Sequence, residues 1–329
     1  MHDFHEIFNR FLNLKVAVIG DVMLDTYWFG TVDRISPEGP VPIVDLKNRE
    51  VRIGGAGNVA LNIVALGASA SLFSVIGKDE EGRQLTTLFK ENQIDTNYLV
   101  ASESRITTNK TRIICRNQQM MRLDSEVTTN LNPAEESELI EKFRAFVHEQ
   151  KPAVVIFEDY NKGVLTPKTI REILDLCAKL EIPVTVDPKQ KNFFSYKGAT
   201  IFKPNLAEVK AALNLLPEGL SDDALPDIHR RLKEVLEHKI SLITLSERGV
   251  FYQENGSATI IPTHVRKVAD VSGAGDTVIA VASLVFAATS DIRLSAAVAN
   301  LAGGLVCEEV GTVAINKQRL FDECTELLT

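Results

Sequence analysis

No run of lysines and arginines in this sequence is long enough to mark a nucleic-acid footprint, and the net charge is −8. Any phosphate it binds must therefore be met by local cations or by backbone N–H groups. The four cysteines, Cys115, Cys177, Cys307 and Cys324, form no C-x-x-C pair. They give neither a zinc nor a disulfide framework, and the expectation is reduced thiols in a cytosolic, cytoplasmic protein. The start MHDFHEIFNRFLNLK holds early acidic residues and no apolar h-region, which argues against a signal peptide. Its Phe4, Ile7, Phe8, Phe11 and Leu12 fit one face of a short helix instead. The longest uncharged stretch, TVIAVASLVFAATS from Thr277, falls short of the ~20 residues that span a bilayer, so it reads as a buried helix. Neither nucleic acid nor membrane is an expected partner. No internal repeat, linker or low-complexity segment interrupts the chain, and it has neither a G-x-x-x-x-G-K-[ST] loop nor the protein-kinase signature set.

What is present is ample core: 329 residues, 45% hydrophobic and 24% charged. Short apolar runs (LKVAVIGD, ASLFSVIGKD, PAVVIFEDY, IPVTVDPK, ATIFKPN, ISLITLSERG) alternate with helical patterns (GGAGNVALNIVALGA, EEGRQLTTLFKENQI, PAEESELIEKFRAFVHEQ, TPKTIREILDLCAKL, LAEVKAALNLL). This alternation predicts an α/β fold with a mainly parallel sheet flanked by helices on both faces. Two regions, about 22–50 and 96–124, are β-rich with no helix between their strands. They predict a small β-sheet lid inserted in a single domain, 1–329.

Four groups of residues point to chemistry. In DVSGAGDT (270–277), small residues let successive N–H groups converge ahead of a helix, an anion site without cationic side chains. Asp276 within it reads either as a general base on an attacking hydroxyl or as the N-cap of a Gly-rich turn. GGAGNVALNIVALG satisfies G-x-G-x-x-A at Gly55, Gly57 and Ala60, with Asp79 about 20 residues on. That is the pattern of a dinucleotide-binding oxidoreductase, although lid sequence separates it from the first strand. Asp21, Asp25, Asp159, Asp187 and Glu208 fall at strand ends, where a parallel sheet places its ligand crevice. With Asn58 and Asn205 they suit a polyhydroxylated ligand and a metal ion; singly, each reads as a loop residue or cap. Lys110, Arg112, Arg116 and Arg122 share strand parity, so they line one lid face unless RNQQ turns; the alternative is ordinary solvated charge.

Taken together, DVSGAGD, GGAGNVALNIVALGA, NLAE (205–208) and TLSERG (244–249) resemble, in order and across essentially the whole chain, the motifs of the ribokinase-like (PfkB) sugar kinases. GDVMLDTYWFGTVDRISPEGPVPIV, RNQQMMRLD, EDYNKG and VDPK look like the heptose 7-phosphate kinases within that family, in a form without an adenylyltransferase unit. The resemblance implies ATP-dependent phosphorylation of the anomeric hydroxyl of D-glycero-β-D-manno-heptose 7-phosphate, a step toward ADP-heptose and the lipopolysaccharide core. Related sugars such as ribose or fructose 6-phosphate are the alternative substrates. It implies Asp276 as base and Gly273, Ala274 and Gly275 as the anion hole. Asp25, Gly54, Gly55 and Asn58 match sugar contacts; Thr244, Ser246 and Gly249 match the nucleotide path, and Asn300 the adenine border. Asn205 and Glu208 match a motif that organises Mg²⁺ and phosphate through water. For the 7-phosphate, the lid residues Arg112, Arg116 or Lys110, or else Lys162 and Lys189, are the unranked candidate substrate contacts, and Asp187, Lys189 and Lys162 are also phosphate- or metal-adjacent positions on the substrate side. ATP and Mg²⁺ are the implied cofactors, and a monovalent cation is left open. The exposed edge of a β lid further suggests a homodimer formed through it. The sequence departs from the family's usual D-T-x-G-A-G-D in having Val271-Ser272, and its first glycine motif is compact, with Asn58 four residues after Gly54. Neither change removes a group that phosphoryl transfer needs.

Overall fold

Burial alternates along the central strands, and this sets the layering. Val16, Val18, Val154 and Ile156 enter one apolar core, while Ala17, Ile19, Val155 and Phe157 enter a second on the opposite face. A computed structural model describes residues 2–116, 118–216 and 221–328. Its strands, in chain order, are Lys15–Gly20 (β1), Val22–Ile35 (β2), Pro42–Gly55 (β3), Ser69–Phe73 (β4), Val75–Gly77 (β5), Val100–Ser102 (β6) and Asn109–Cys115 (β7). They continue with Gln118–Ser125 (β8), Val154–Glu158 (β9), Val184–Asp187 (β10), Ile201–Phe202 (β11), Ile240–Thr244 (β12), Val250–Glu254 (β13) and Ser257–Ile261 (β14). The main sheet has the order β14-β13-β12-β11-β10-β9-β1-β4; it is parallel from β12 to β4, and β13 and β14 add an antiparallel edge.

Helices cover both faces. Phe4–Phe11 (α1), Ala56–Ala65 (α2) and Glu80–Glu91 (α3) precede Pro133–Gln150 (α4), Pro167–Lys179 (α5), Leu206–Ala212 (α6) and Leu225–Leu236 (α7). Ala274–Thr289 (α8), Ile292–Val306 (α9) and Lys317–Leu327 (α10) complete the chain. The first core is filled from α1, α2, α8 and α9, and the second from α4, α5 and α7. The uncharged stretch from Thr277 is α8, buried from Asp276 to Val285 as its composition predicts. Among the described residues no helix is long and apolar enough to cross a membrane.

The four-stranded lid has the order β3-β2-β7-β8. Two expectations change in detail. The stretch ASLFSVIGKD is two strands, not one: the Ser74 hydroxyl donates to the Gly20 carbonyl at 2.6 Å, and beyond this break β5 leaves the main sheet to pair with β6. The second lid segment therefore begins at β7, because the 96–102 stretch is drawn to β5. Of RNQQ, Arg116 has φ of 50° just past β7 and Gln118 opens β8; Asn117 lies outside the described residues.

Away from the lid, His229 on α7 and His238 both meet the Ser241 hydroxyl on β12, at 2.8 and 2.7 Å. Burial lowers the first to about 4 and the second to about 3. The unfolded chain binds these protons near pH 6.5, so the pair's contribution to stability is present above that pH and is lost as pH falls toward 4. Replacing one ring should remove part of that loss. His238→Phe should show a shallower drop in urea midpoint than the wild type between pH 7 and pH 5. Parallel curves would rule the histidines out as the source.

Candidate active site

The N-terminus of α8 is shaped by Gly273, which sits at φ 77° and caps the helix with no side-chain hydrogen bond. A Cβ there would come within 2.8 Å of Asn58 Nδ2 and 3.0 Å of Thr312 Cγ2, so conformation and space both call for glycine. Asp270 ties down the turn before it, accepting from Ser272 N–H at 3.0 Å, Ser272 Oγ at 2.9 Å and Gly311 N–H at 2.9 Å. Asp276 is then the third residue of the helix rather than its cap. Its carboxylate is 3% exposed and accepts from Asn58 Nδ2 at 2.8 Å and Tyr160 Oη at 2.7 Å. The N-cap alternative does not describe this residue.

Beneath Asp276 three strand ends converge. Glu158 ends β9 and pairs in register with Asp187, which ends β10. Lys203, just past β11, forms a buried ion pair with Asp187 at 2.6 Å. Burial, followed by the charges of Asp187 and Asp276, pushes the Glu158 carboxyl well above its ordinary range. Its Oε2 is buried with no hydrogen-bond partner, the environment of a carboxyl that keeps its proton. Burial raises Asp276 to about 6, against the lowering effect of its bonds to Asn58 and Tyr160. Burial first, then Asp276, holds the Tyr160 phenol well above 10, so it stays a donor at working pH.

This electrostatic setting predicts a pH profile. If Asp276 must be ionised to act, kcat/KM should rise with pH through an apparent pKa of about 6, the value to which burial raises this carboxylate. Tyr160→Phe removes a bond that favours the ionised form, so the acid limb should move to higher pH. An unmoved limb in that variant would show that Tyr160 does not tune the carboxylate.

One cleft of about 850 Å³ is lined by Gly273, Ala274, Gly275, Asp276, Asp187, Lys189, Asn205, Thr244, Ser246, Gly249 and Asn300. The structure thus gathers most of the sequence-derived residues at the carboxyl ends of the parallel strands, where such sheets bind ligands. Asn205 and Glu208 form a capping box on α6: Asn205 Oδ1 accepts from Glu208 N–H at 2.8 Å, and Glu208 Oε2 from Asn205 N–H at 2.9 Å. Lys189 bonds the other Glu208 oxygen. Burial lowers the Lys189 ammonium, but Asp187 and Glu208 outweigh it and raise it overall. Asn300 donates to the Pro262 carbonyl at 2.9 Å and holds the 262–272 segment over the cleft. No group of three or more His, Cys, Asp or Glu arranged to hold a metal ion occurs among the described residues.

The other residues reach the site from the lid. Gly55 (φ 60°) joins β3 to α2, and a Cβ on Gly54 would strike Asp25 Oδ2 at 2.4 Å. Asp25 is buried, meets Arg112 at 2.5 Å and accepts from Thr312 Oγ1 at 3.3 Å. Lys110 and Lys162 converge on Glu126, at 3.2 and 2.6 Å. Arg116 stands apart. It lies just past the far end of β7, whose other end carries Lys110 in register with Asp25, and is exposed beside Asp33. Arg122 is likewise turned to Asp124.

The glycines of the dinucleotide-like motif follow a lid strand, not a strand of the parallel sheet. Asp79 caps α3, accepting from Gly82 N–H and from the N–H and hydroxyl of Thr107. Asp21 and Asp159 are structural as well. Asp21 accepts N–H bonds from Tyr160, Lys162 and Val164, and Asp159 holds Asn161, Asn192 and Tyr196. Sequence reasoning did not find Tyr160, Glu158 or Lys203. Each stands at or just beyond the end of an apolar run, and polar residues at such ends were the available signal.

A glycine turn at a helix N-terminus, with a buried carboxylate behind it, thus faces the cleft at the carboxyl ends of the parallel strands. Residues 13–319 match the pfkB family carbohydrate kinase pattern, and the chain belongs to that family. It is 41% identical over 304 residues to the Bifunctional protein HldE of Geobacter sulfurreducens, covering 92% of this chain and 61% of that protein. It is 37% identical over 315 residues to the protein of the same name from Campylobacter curvus, covering 96% and 65%. The chain thus spans less than two thirds of these relatives' length. Among solved structures, phosphofructokinase-2 from Escherichia coli in complex with potassium superposes with a TM-score of 0.78 at 18% identity, covering 95% of this chain and 99% of the other. The same enzyme in complex with fructose-6-phosphate gives 0.77 at 18% identity, with the same coverage. The fold is ribokinase-like.

Proposed function

We propose that this protein transfers the γ-phosphoryl group of ATP to the anomeric hydroxyl of D-glycero-β-D-manno-heptose 7-phosphate, giving the 1,7-bisphosphate used to make ADP-heptose for lipopolysaccharide core. The observation that carries the chemistry is Asp276: a buried carboxylate held by two neutral donors, Asn58 and Tyr160, at the mouth of a glycine turn. A carboxylate there repels phosphate, so its use is on the acceptor hydroxyl, whose proton it removes as the oxygen attacks in line. The N–H groups of 273–276, at the positive end of α8, meet charge that grows on the phosphoryl oxygens. The lid closes over the sugar and limits water's access.

The relatives named HldE and the lid sequences support heptose as the sugar. For the 7-phosphate, the geometry favours Arg112, Lys110 and Lys162 at the root of the lid over the distant Arg116. Mg²⁺ would arrive with the nucleotide and offset phosphate charge. Both Glu208 oxygens already accept bonds, so Asn205 and Glu208 suit contact through water rather than direct ligation. The lid also supports self-association. Its edge strand β8 is exposed throughout, with Met121 and Leu123 beside Ile113 and Thr111 on one face, and a homodimer through this sheet would cover it.

An ADP-release assay with MgATP and a panel of heptose 7-phosphate, fructose 6-phosphate, ribose, fructose and adenosine tests the assignment. Preference for heptose 7-phosphate is expected. Preference for fructose 6-phosphate, the ligand in one of the superposed structures, would reassign the substrate and keep the chemistry.

A further inference from the structure

The lid and the anion turn are far apart in sequence, yet the 310–312 loop lies between them, and Arg52 grips it from the lid side. Arg52, on lid strand β3, sends Nη1 to the Val310 carbonyl at 2.6 Å and to the Thr312 carbonyl at 3.4 Å. Its Nη2 is held by Glu50 at 2.9 Å, and its guanidinium lies 4.9 Å from the centre of the Tyr27 ring. The Tyr27 hydroxyl in turn accepts from the Thr312 N–H at 3.3 Å. Gly311, between the two gripped carbonyls, has φ of 73°; a Cβ there would sit 2.7 Å from Arg52 Nη1 and 2.9 Å from the Tyr27 hydroxyl. No other residue fits between the lid and this loop.

The same loop supports the anion turn on its other side. Gly311 N–H donates to Asp270, which also binds Ser272, and Thr312 Cγ2 packs where a Cβ on Gly273 would be. We infer that Arg52 is a positioning residue for phosphoryl transfer: it clamps the 310–312 loop to the lid and, through Asp270, fixes the 270–276 turn. Arg52 reaches neither Asp276 nor the cleft lining, so its effect is on alignment rather than on binding. Displacing a reacting geometry by about 1 Å costs on the order of 10²-fold in rate. The guanidinium suits the task because it presents a fork of donors to two carbonyls, which an ammonium does not.

This inference rests on the kinase reading, and two kinds of measurement keep their failures apart. Hydrogen–deuterium exchange needs no substrate. Arg52→Ala should speed exchange in both 308–313 and 270–275 while leaving α4 and α5 unchanged; unchanged exchange at 270–275 overturns the inference, whatever the enzyme's activity. In steady-state kinetics, Arg52→Ala should lower kcat by about 10- to 100-fold with KM for ATP within about threefold. Added methylguanidinium should restore part of kcat, and Arg52→Lys should recover less than the guanidinium does. Wild-type turnover with an undiminished Arg52→Ala overturns the inference and leaves the kinase reading standing. Absence of wild-type turnover counts against the kinase reading alone.

Discussion

Asp276→Asn should lower kcat by about 10³-fold while leaving ATP binding intact. The amide is close in shape to the carboxylate and remains within reach of Tyr160 Oη, now 2.7 Å from Asp276 Oδ1, so the turn ahead of α8 is kept. What is lost is the group that can take a proton from the acceptor hydroxyl. The N–H groups of 273–276 still face the transferring phosphoryl group, so residual turnover above the uncatalysed rate is expected. Stopped-turnover measurements of ADP formation, paired with equilibrium titration of a non-hydrolysable nucleotide, check both halves. Near-normal kcat would remove Asp276 from the chemistry, whereas lost nucleotide binding would show that the substitution had disturbed the turn instead.

Lys203→Met should destabilise the fold by about 3–5 kcal/mol, the usual cost of removing one partner from a buried ion pair. Asp187 would then be left beside Glu158 and Asp276 with its ion-pair partner gone, in a position where both members of the pair are less than a tenth exposed. Adding Asp187→Asn should return much of that loss, because the orphaned charge goes with it. Urea unfolding of the two single variants and the double variant reads the difference. A Lys203→Met protein as stable as the wild type would mean that water or Lys189, which also lies near Asp187, satisfies the carboxylate.

The parts of this site that sequence conveys are those made within a few residues. The small residues of 273–275 imply a turn before the apolar run that becomes α8, and NLAE is a capping box whose two bonds close inside one helical turn. The alternation of apolar runs likewise conveys the layered sheet, and the absence of helical pattern conveys the lid. What sequence hides is made by strand order. Glu158, Asp187 and Lys203 meet because β9, β10 and β11 lie side by side, which no local pattern states. Tyr160 reaches Asp276 across 116 residues, and Arg52 reaches Val310 across 258. The break at Ser74 is similar: a serine inside an apolar run looks tolerable in a strand, until Gly20 offers its carbonyl and the chain changes partner. Shared strand parity placed Arg116 with Arg112, but distance along the lid separates them.

The most direct test of the proposed reaction is ³¹P NMR of the product formed from MgATP and heptose 7-phosphate. A new phosphomonoester coupled to the anomeric proton, formed one for one with ADP and absent with Asp276→Asn, is the expected result. ADP formed without a new sugar ester, or a phosphate placed on any other carbon, would contradict it.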